Sequence, residues 1–363
     1  MTPTDRRDNL LITSAALRPF KRIVVVGATG AVGNEVLSIL QHAAVPATSL
    51  VVVGSERSVG SMLSYGDSRL EVTALRQDLF VDGGVAIVCA DAATALAARQ
   101  LAQGTDCLLI DNSSAFRLEA GVPLCVPEVN GATLRGHRGL IANPNCSTIL
   151  LVMALEPLRA AFGIEEIVVS TYQAVSGKGL AAMEELREQT ARALRGEDLS
   201  PRLFHEPCAF NLFSHDSDVG LDTGVNGEEQ KIIDETRKIW DAPSLRVSPT
   251  CIRVPVLRAH TESVRVTLRR AASEAELRRA LQLAPGLIVI DDRKNNAFPT
   301  PLKAAFRDEV LVGRIRRDPA AEVQQDGTSR TFALLICGDQ LRKGAATNAV
   351  QIAVLAARLR QSR

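Results

Sequence analysis

Aromatic residues make up only 4 % of the 363-residue chain, with one tryptophan and two tyrosines. Stacking of bases on aromatic side chains, the usual basis of single-strand binding, therefore has little to work with, and no basic stripe replaces it. Excess charge is missing as well. The 42 basic and 41 acidic residues leave a formal net charge of +1, which implies neither a nucleic-acid nor any other strongly charged partner. No apolar run approaches the roughly 18 to 20 residues of a membrane span; runs such as Ile23 to Val26 are strand-sized, so no membrane partner is expected. Cysteines (Cys89, Cys107, Cys125, Cys146, Cys208, Cys251, Cys337) are odd in number, form no CxxC pair and lie mostly in apolar segments, as reduced thiols of a cytosol-like compartment do. No His, Cys, Asp or Glu cluster has metal-ligand spacing, and no metal is expected. Internal repeats and low-complexity tracts are absent too.

At the N-terminus Arg6-Arg7 precedes the short apolar stretch Leu10 to Leu17, the outline of a twin-arginine or organelle-targeting leader. Asp5 and Asp8, the brevity of the stretch, and Arg18 and Lys21-Arg22 after it argue against export. Residues 1–20 read as a flexible tail and the protein as cytoplasmic.

What is present is a chain that is 46 % hydrophobic and long enough for about two domains. Lys21 to Val26 is a β-branched run ending in Gly27-Ala28-Thr29-Gly30-Ala31-Val32-Gly33, after which Asn34 to Gln41 carries apolar residues at helical spacing. Strand-like runs at Leu50 to Val53, Val85 to Ala90 and Cys107 to Ile110, with the helix-forming Ala92 to Ala102 between the last two, predict a doubly wound parallel sheet. Past the Asn143-Pro144-Asn145 turn, Ser147 to Leu155 reads as a helix and Glu165 to Tyr172 as a strand. Runs at Val247 to Val256, Ser263 to Leu268, Leu287 to Ile290, Val310 to Ile315 and Thr331 to Ile336 then follow with one or two helices. They predict an α+β domain with a mixed, largely antiparallel sheet. The expected division is 21–145 completed by a returning C-terminal helix 340–363, and 146–339.

A strand, a glycine turn and a helix together form an anion cradle, because free amides at the helix N-terminus attract a pyrophosphate and glycines let it approach the backbone. Gly27, Gly30 and Gly33 have a GxxGxxG spacing, which with the flanking strand and helix favours a dinucleotide site over a turn that merely packs helix on strand. At the end of the second strand Glu56 is a candidate for ribose hydroxyls, while Arg57 with Ser55 and Ser58 favours the extra phosphate of NADP. Among the thiols, Cys146 stands apart, since it follows a turn and opens a helix whose N-terminal amides stabilise a thiolate. It is the candidate nucleophile. Of the five histidines, His260 follows the apolar run Ile252 to Leu257 and begins another strand, a position for a proton carrier or for a satisfied strand-end histidine.

The ordered segments Gly27 to Gly33, Asp111 to Arg117, Val126 to Asn130, Asn143 to Thr148, Ser170 to Gly177, Arg253 to His260, Val312 to Arg316 and Lys343 to Ala346 resemble the aspartate-β-semialdehyde dehydrogenase family. Phe210 to His215, Phe298 to Leu302 and Gly338 to Gln340 resemble the subgroup that includes the plant enzymes. The resemblance implies reversible, phosphate-dependent interconversion of L-aspartate 4-semialdehyde and L-aspartyl 4-phosphate with NADP, serving lysine, methionine and threonine synthesis. It implies a Cys146 thioester, His260 as acid/base and Gln173 as the residue that positions substrate. Arg253 would grip the substrate α-carboxylate, Glu229 its amino group, and Arg117, Lys231 and Asn145 the phosphate region. Thr29, Gly30, Ala31 and Val32 of the glycine turn, together with Ser176, Gly177 and Gln340, would contact the cofactor. Lys178 stands where the family commonly has a small residue, and Leu203 to Asn226 departs from the short bacterial versions. Family members form homodimers, some paired into tetramers. The rival readings are N-acetyl-γ-glutamyl-phosphate reductase, with the same thioester logic on a longer acyl phosphate, and a catalytically silent NADP-binding homologue.

Overall fold

A computed structural model describes residues 10–361. The chain divides after Asn145 and again after Gly344, so that the last helix rejoins the first unit. That return begins at Ala345, five residues later than the sequence suggests.

The first unit is built on seven strands: β1 (Ile23–Val26), β2 (Leu50–Val53), β3 (Met62–Tyr65), β4 (Ser68–Thr73), β5 (Val85–Val88), β6 (Leu108–Asp111) and β7 (Leu140–Ala142), in the order β3-β4-β2-β1-β5-β6-β7. All neighbours are parallel except β3 and β4, a hairpin turning at Gly66 and Asp67. β1 reads Ile-Val-Val-Val and is buried throughout, as a central strand covered on both faces must be. Helices Ala31–His42 and Thr347–Gln361 supply Val36, Leu40, Val350 and Ile352 to the core around it. From β1 the chain passes to β2 on one side and later reaches β5 on the other, which opens a crevice at the carboxyl end of β1, where the glycine turn lies.

Two features differ from the sequence reading. Ser14–Leu17 is a short helix capped by Thr13, the Ser14 amide donates to the Ala43 carbonyl (2.8 Å), and Leu17 and Phe20 are buried, so order begins before residue 21. Arg6 and Arg7 fall outside the described residues. The edge strands β3 and β7 are short, and β3 with its hairpin partner β4 is half exposed, so that β3 and β4 bury only Tyr65, Leu70 and Val72 and carry a weak apolar signal.

In the second unit the strands are β8 (Ile164–Gln173), β9 (Phe213–Ser214), β10 (Arg246–Arg253), β11 (His260–Ala272), β12 (Leu287–Val289), β13 (Val310–Arg317) and β14 (Ser329–Gly338), ordered β12-β13-β14-β11-β8-β10-β9. Four of the six pairings are antiparallel, while β8–β10 and β12–β13 are parallel. Cys146–Phe162 covers the expected Ser147 to Leu155 helix, and Glu274–Gln282 and Pro301–Ala304 are the one or two helices expected among the later strands, while Leu180–Leu194 and Gly227–Ile239 add to them. Gly227–Ile239 escapes notice because eight of its thirteen residues are charged or Gln, and its inward face is reduced to Ile232, Thr236, Ile239 and two acids.

Strand alternation delivers the chemistry. Along β8 the buried row Ile167, Val169, Thr171 ends on Gln173; along β10 Cys251 is followed by Arg253; β11 begins its buried row with His260 and continues through Glu262, Val264 and Val266. In register, Gln173 faces Arg253 and Tyr172 faces Thr261, so the apolar rows that fix the sheet also gather polar residues at one end.

Candidate active site

Cys146 is the first residue of its helix, where the helix dipole favours negative charge on its sulfur. Its Sγ lies 3.4 Å from His260 Nε2. Gly344 passes behind the thiol, and a side chain there would begin 3.1 Å from Cys146 Cβ. His260 is fully buried, and its Nδ1 accepts the Ala174 amide proton at 3.0 Å. An acceptor at Nδ1 assigns the ring proton to Nε2, the nitrogen beside the sulfur. Burial, reinforced by the Arg253 charge, pushes the imidazole down to about 3, so the ring is neutral at physiological pH. His260 therefore presents an N–H to the sulfur and to whatever oxygen forms on a carbon bound there.

Gln173 is held at both ends of its amide. Its Oε1 accepts from Thr171 Oγ1 (3.1 Å), and its Nε2 donates to Glu228 Oε1 (3.0 Å), while Glu228 Oε2 accepts from Lys231 Nζ (3.1 Å). Glu229, expected at the substrate amino group, does something else. As the N3 residue of a capping box it accepts the Asn226 amide proton (2.9 Å) through Oε2, and through Oε1 the Cys251 amide proton (3.0 Å). Both oxygens are bound to backbone, and the carboxylate directed at Gln173 is Glu228, which the sequence reading passed over. The signal was available: Glu228 stands three residues before Lys231, and that spacing puts the two on one helix face.

Arg253 is 3 % exposed. Its Nη1 donates to the Ala174 carbonyl (3.0 Å), and its Nη2 donates both to Asp216 Oδ1 (2.9 Å) and to His215 Nε2 (2.9 Å). Nε is buried without a hydrogen-bond partner. Asp216 is also bound by Lys178 Nζ, and the ring of Phe204 lies 4.8 Å from that ammonium and 5.4 Å from the guanidinium carbon. Burial opposes charge on Asp216, but the hydrogen bonds from Lys178 and Arg253 outweigh it and hold the carboxyl well below the usual carboxylate range. His215 is pushed down to about 4 by burial and is neutral, with Nδ1 donating to Ser217 Oγ at 3.2 Å. Gly177 runs close beneath this group: a Cβ there would sit 3.3 Å from Arg253 Nη1 and 3.5 Å from His260 Cε1.

Ser176 and Gln340, expected at a cofactor, are buried and bonded to each other, and Gln340 Oε1 also accepts the Ala259 amide proton (2.9 Å). Ala259 has φ +74°, so this pair fastens the strained residue that aims His260.

The remaining expected residues belong to the first unit. Gly27 has φ +80°, and a Cβ on it would meet the Cys89 carbonyl at 2.5 Å; one on Gly33 would meet the Gly27 carbonyl at 2.2 Å. Only glycine fits. Gly30 is the N-cap of Ala31–His42 and has no side chain to satisfy the first-turn amides of Ala31, Val32 and Gly33, so the cradle suits an anion. Beyond β2, Ser55 and Arg57 are exposed, Ser58 is half-buried with its hydroxyl 3.4 Å from that of Ser55, and the packing of Gly54 brings Thr29 close. This arrangement fits a nicotinamide dinucleotide. Arg117 is buried, donating through Nε to the Asn143 carbonyl (3.0 Å) and through Nη2 to the Asn112 carbonyl (2.8 Å); Asn145 is buried and immediately precedes Cys146 in the chain.

The other thiols are buried, apart from the partly exposed Cys89. Burial pushes Cys107, Cys208 and Cys337 up to about 11. Among the described residues no group of three His, Cys, Asp or Glu side chains is placed to hold a metal ion, and no helix is long and apolar enough to cross a membrane.

Comparison with known proteins gives the family. Residues 22–137 match the family model for the semialdehyde dehydrogenase NAD binding domain, and residues 155–343 match that for the semialdehyde dehydrogenase dimerisation domain. Aspartate-semialdehyde dehydrogenase from Aquifex aeolicus is 42 % identical over 92 % of this chain and 97 % of its own length, and the one from Synechocystis is 40 % identical over 92 % and 96 %. The crystal structure of aspartate semialdehyde dehydrogenase II from Vibrio cholerae complexed with ASA superposes with a TM-score of 0.85 at 36 % identity, covering 93 % of this chain and 98 % of that one. With its NAD(P)-binding unit and its dimerisation unit, this chain belongs to the aspartate-semialdehyde dehydrogenase family.

Proposed function

We propose that the protein catalyses the reversible, NADP-dependent reductive dephosphorylation of L-aspartyl 4-phosphate to L-aspartate 4-semialdehyde, through a thioester on Cys146. The observation that carries this reading is the Cys146–His260 pair at 3.4 Å, with the ring proton on the nitrogen that faces the sulfur. In the biosynthetic direction the Cys146 thiolate attacks the acyl phosphate and expels phosphate, leaving a thioester. A bound nicotinamide dinucleotide supplies the hydride for reduction. His260, through Nε2–H, stabilises the negative oxygen on the tetrahedral carbon, and collapse then releases the aldehyde and the thiolate. In reverse, the aldehyde and thiol form a thiohemiacetal, which loses a hydride and a proton to become the thioester that phosphate cleaves. Splitting the transfer in two lowers each barrier, and a thioester is a better hydride acceptor than a carboxylate.

Charge sorts the substrate's other groups. The buried Arg253, with its Nε unpartnered, takes the α-carboxylate, for which a planar fork is better suited than an ammonium. Glu228 takes the α-ammonium and Gln173, fixed by Thr171 and Glu228, orients the acyl group. Lys231 and Arg117 serve phosphate. The glycine turn with Ser55, Arg57 and Ser58 holds NADP. The protein works as a homodimer or tetramer in the cytoplasm, in lysine, methionine and threonine synthesis.

The test is nicotinamide reduction by the purified protein with aspartate semialdehyde and NADP+, with and without phosphate, against N-acetylglutamate semialdehyde. Phosphate-dependent turnover on the first substrate alone is expected. Turnover on the second alone makes the protein an N-acetyl-γ-glutamyl-phosphate reductase, and none on either, with NADP bound, makes it a silent homologue.

A further inference from the structure

A substrate carboxylate arriving at Arg253 finds a carboxylate already there. Asp216 Oδ1 and His215 Nε2 occupy Nη2 at 2.9 Å each, Nη1 is turned to the Ala174 carbonyl, and Nε alone lacks a partner. A bidentate pair using Nε and Nη2 needs one of the two occupants to leave Nη2. His215 is held in place through its other nitrogen, which is tied to Ser217. Asp216 does: its second oxygen is already on Lys178, whose ammonium lies over the Phe204 ring beside Arg253.

We propose that Asp216 is a resident stand-in for the substrate α-carboxylate at Arg253, and that Lys178 receives it when substrate binds, so that this pair sets substrate affinity without touching the reacting atoms. The inference rests on the assignment of the α-carboxylate to Arg253. Without substrate, Asp216 compensates a buried guanidinium that would otherwise be unpaired, a costly state. With substrate, it retains a cation, so exchange does not strand a buried charge. Affinity is then a difference between two carboxylates competing for one fork, and Lys178 moves that balance toward substrate.

The experiment is a double-mutant cycle in steady-state kinetics on the full-length enzyme, with Asp216→Asn, Lys178→Met and their combination, for aspartate semialdehyde and for 3-aminopropanal, which lacks the carboxylate. Asp216→Asn is expected to lower KM for aspartate semialdehyde about fivefold, with a smaller change in kcat, and Lys178→Met to raise it by a similar factor. In the double variant the loss of Lys178 has no effect, because nothing is left for it to receive. KM for 3-aminopropanal stays level. A rise in KM with Asp216→Asn, equal effects on both substrates, or an undiminished Lys178 effect in the double variant would each overturn the proposal. Arg253→Lys in the same assay separates the two levels: if it leaves KM for aspartate semialdehyde unchanged, the carboxylate is not at Arg253 and the underlying assignment has failed, whereas a rise there with no gain from Asp216→Asn defeats this inference alone.

Discussion

His260 and Glu262 stand two residues apart on one buried row of β11, and in both the loss of water disfavours the charged form. The consequences for pH are opposite in sign. A histidine whose value drops from about 6.5 unfolded to about 3 folded binds its proton more readily in the unfolded chain, so its contribution to stability is present above about 6.5 and fades as pH falls. Catalysis inherits a flat profile: between pH 5.5 and 7.5 no limb from His260 is expected in kcat, and a limb centred near 6.5 that His260→Asn removes would contradict the tautomer described. Glu262 has both oxygens buried without a hydrogen bond, and burial pushes its carboxyl well above the usual range. Its contribution is full below the unfolded value of about 4.3 and is lost as pH rises toward the folded value. Glu262→Gln is thus expected to melt higher than the parent at pH 8, the gap closing toward pH 4 at up to about 1.4 kcal/mol per pH unit. A gap independent of pH would mean that Glu262 is ionised and paired.

Elements decide which side chains face the site. Asn226 caps Gly227–Ile239, accepting the amide protons of Glu228 (3.0 Å) and Glu229 (2.9 Å), and that cap fixes the register by which Glu228 faces Gln173 while Glu229 turns back to its own backbone. One residue of slippage on a helix is a rotation of about 100°, so the N-cap decides which of the two acids faces Gln173. Asn226→Ala should cost about 1 kcal/mol of stability and raise KM for the substrate amine through Glu228; a stability loss with KM unchanged would remove Glu228 from the site. In the first unit, Gly33→Ala places a methyl 2.2 Å from the Gly27 carbonyl and 2.7 Å from Ala28 Cα. Weakening of NADPH binding by about tenfold or more is expected by fluorescence titration, since the helix N-terminus must tilt away from the anion; undiminished binding would move the cofactor elsewhere. The buried strands were legible because β-branched runs announce themselves, and Leu50–Val53 was delimited to the residue. Helices such as Leu180–Leu194, with a narrow apolar face among charges, were not.

Across the whole molecule, the two-unit plan was readable because each half carries its own periodicity, parallel and interleaved with helices first, then strand-rich. The site was readable unevenly. Cys146 declared itself through its turn and helix start, whereas Gln173 and Arg253 came only from resemblance, their proximity being a matter of parallel pairing between strands 80 residues apart in the chain. Nothing local marked Asp216 as a partner of Arg253, since loops meet side chains by topology and leave no period behind. Any ligand that binds only the folded state must stabilise it, by about 2.7 kcal/mol at a hundredfold excess over Kd, so a thermal shift with NADP is required of the active enzyme and of a silent homologue alike. The decisive quantity is covalent. Intact-mass and peptide analysis of the enzyme mixed with aspartate semialdehyde and NADP+ in the absence of phosphate should find an aspartyl adduct on Cys146, discharged by added phosphate and missing from Cys146→Ala. An enzyme that turns over with Cys146 unmodified, or that works undiminished as Cys146→Ala, would contradict the account at its centre.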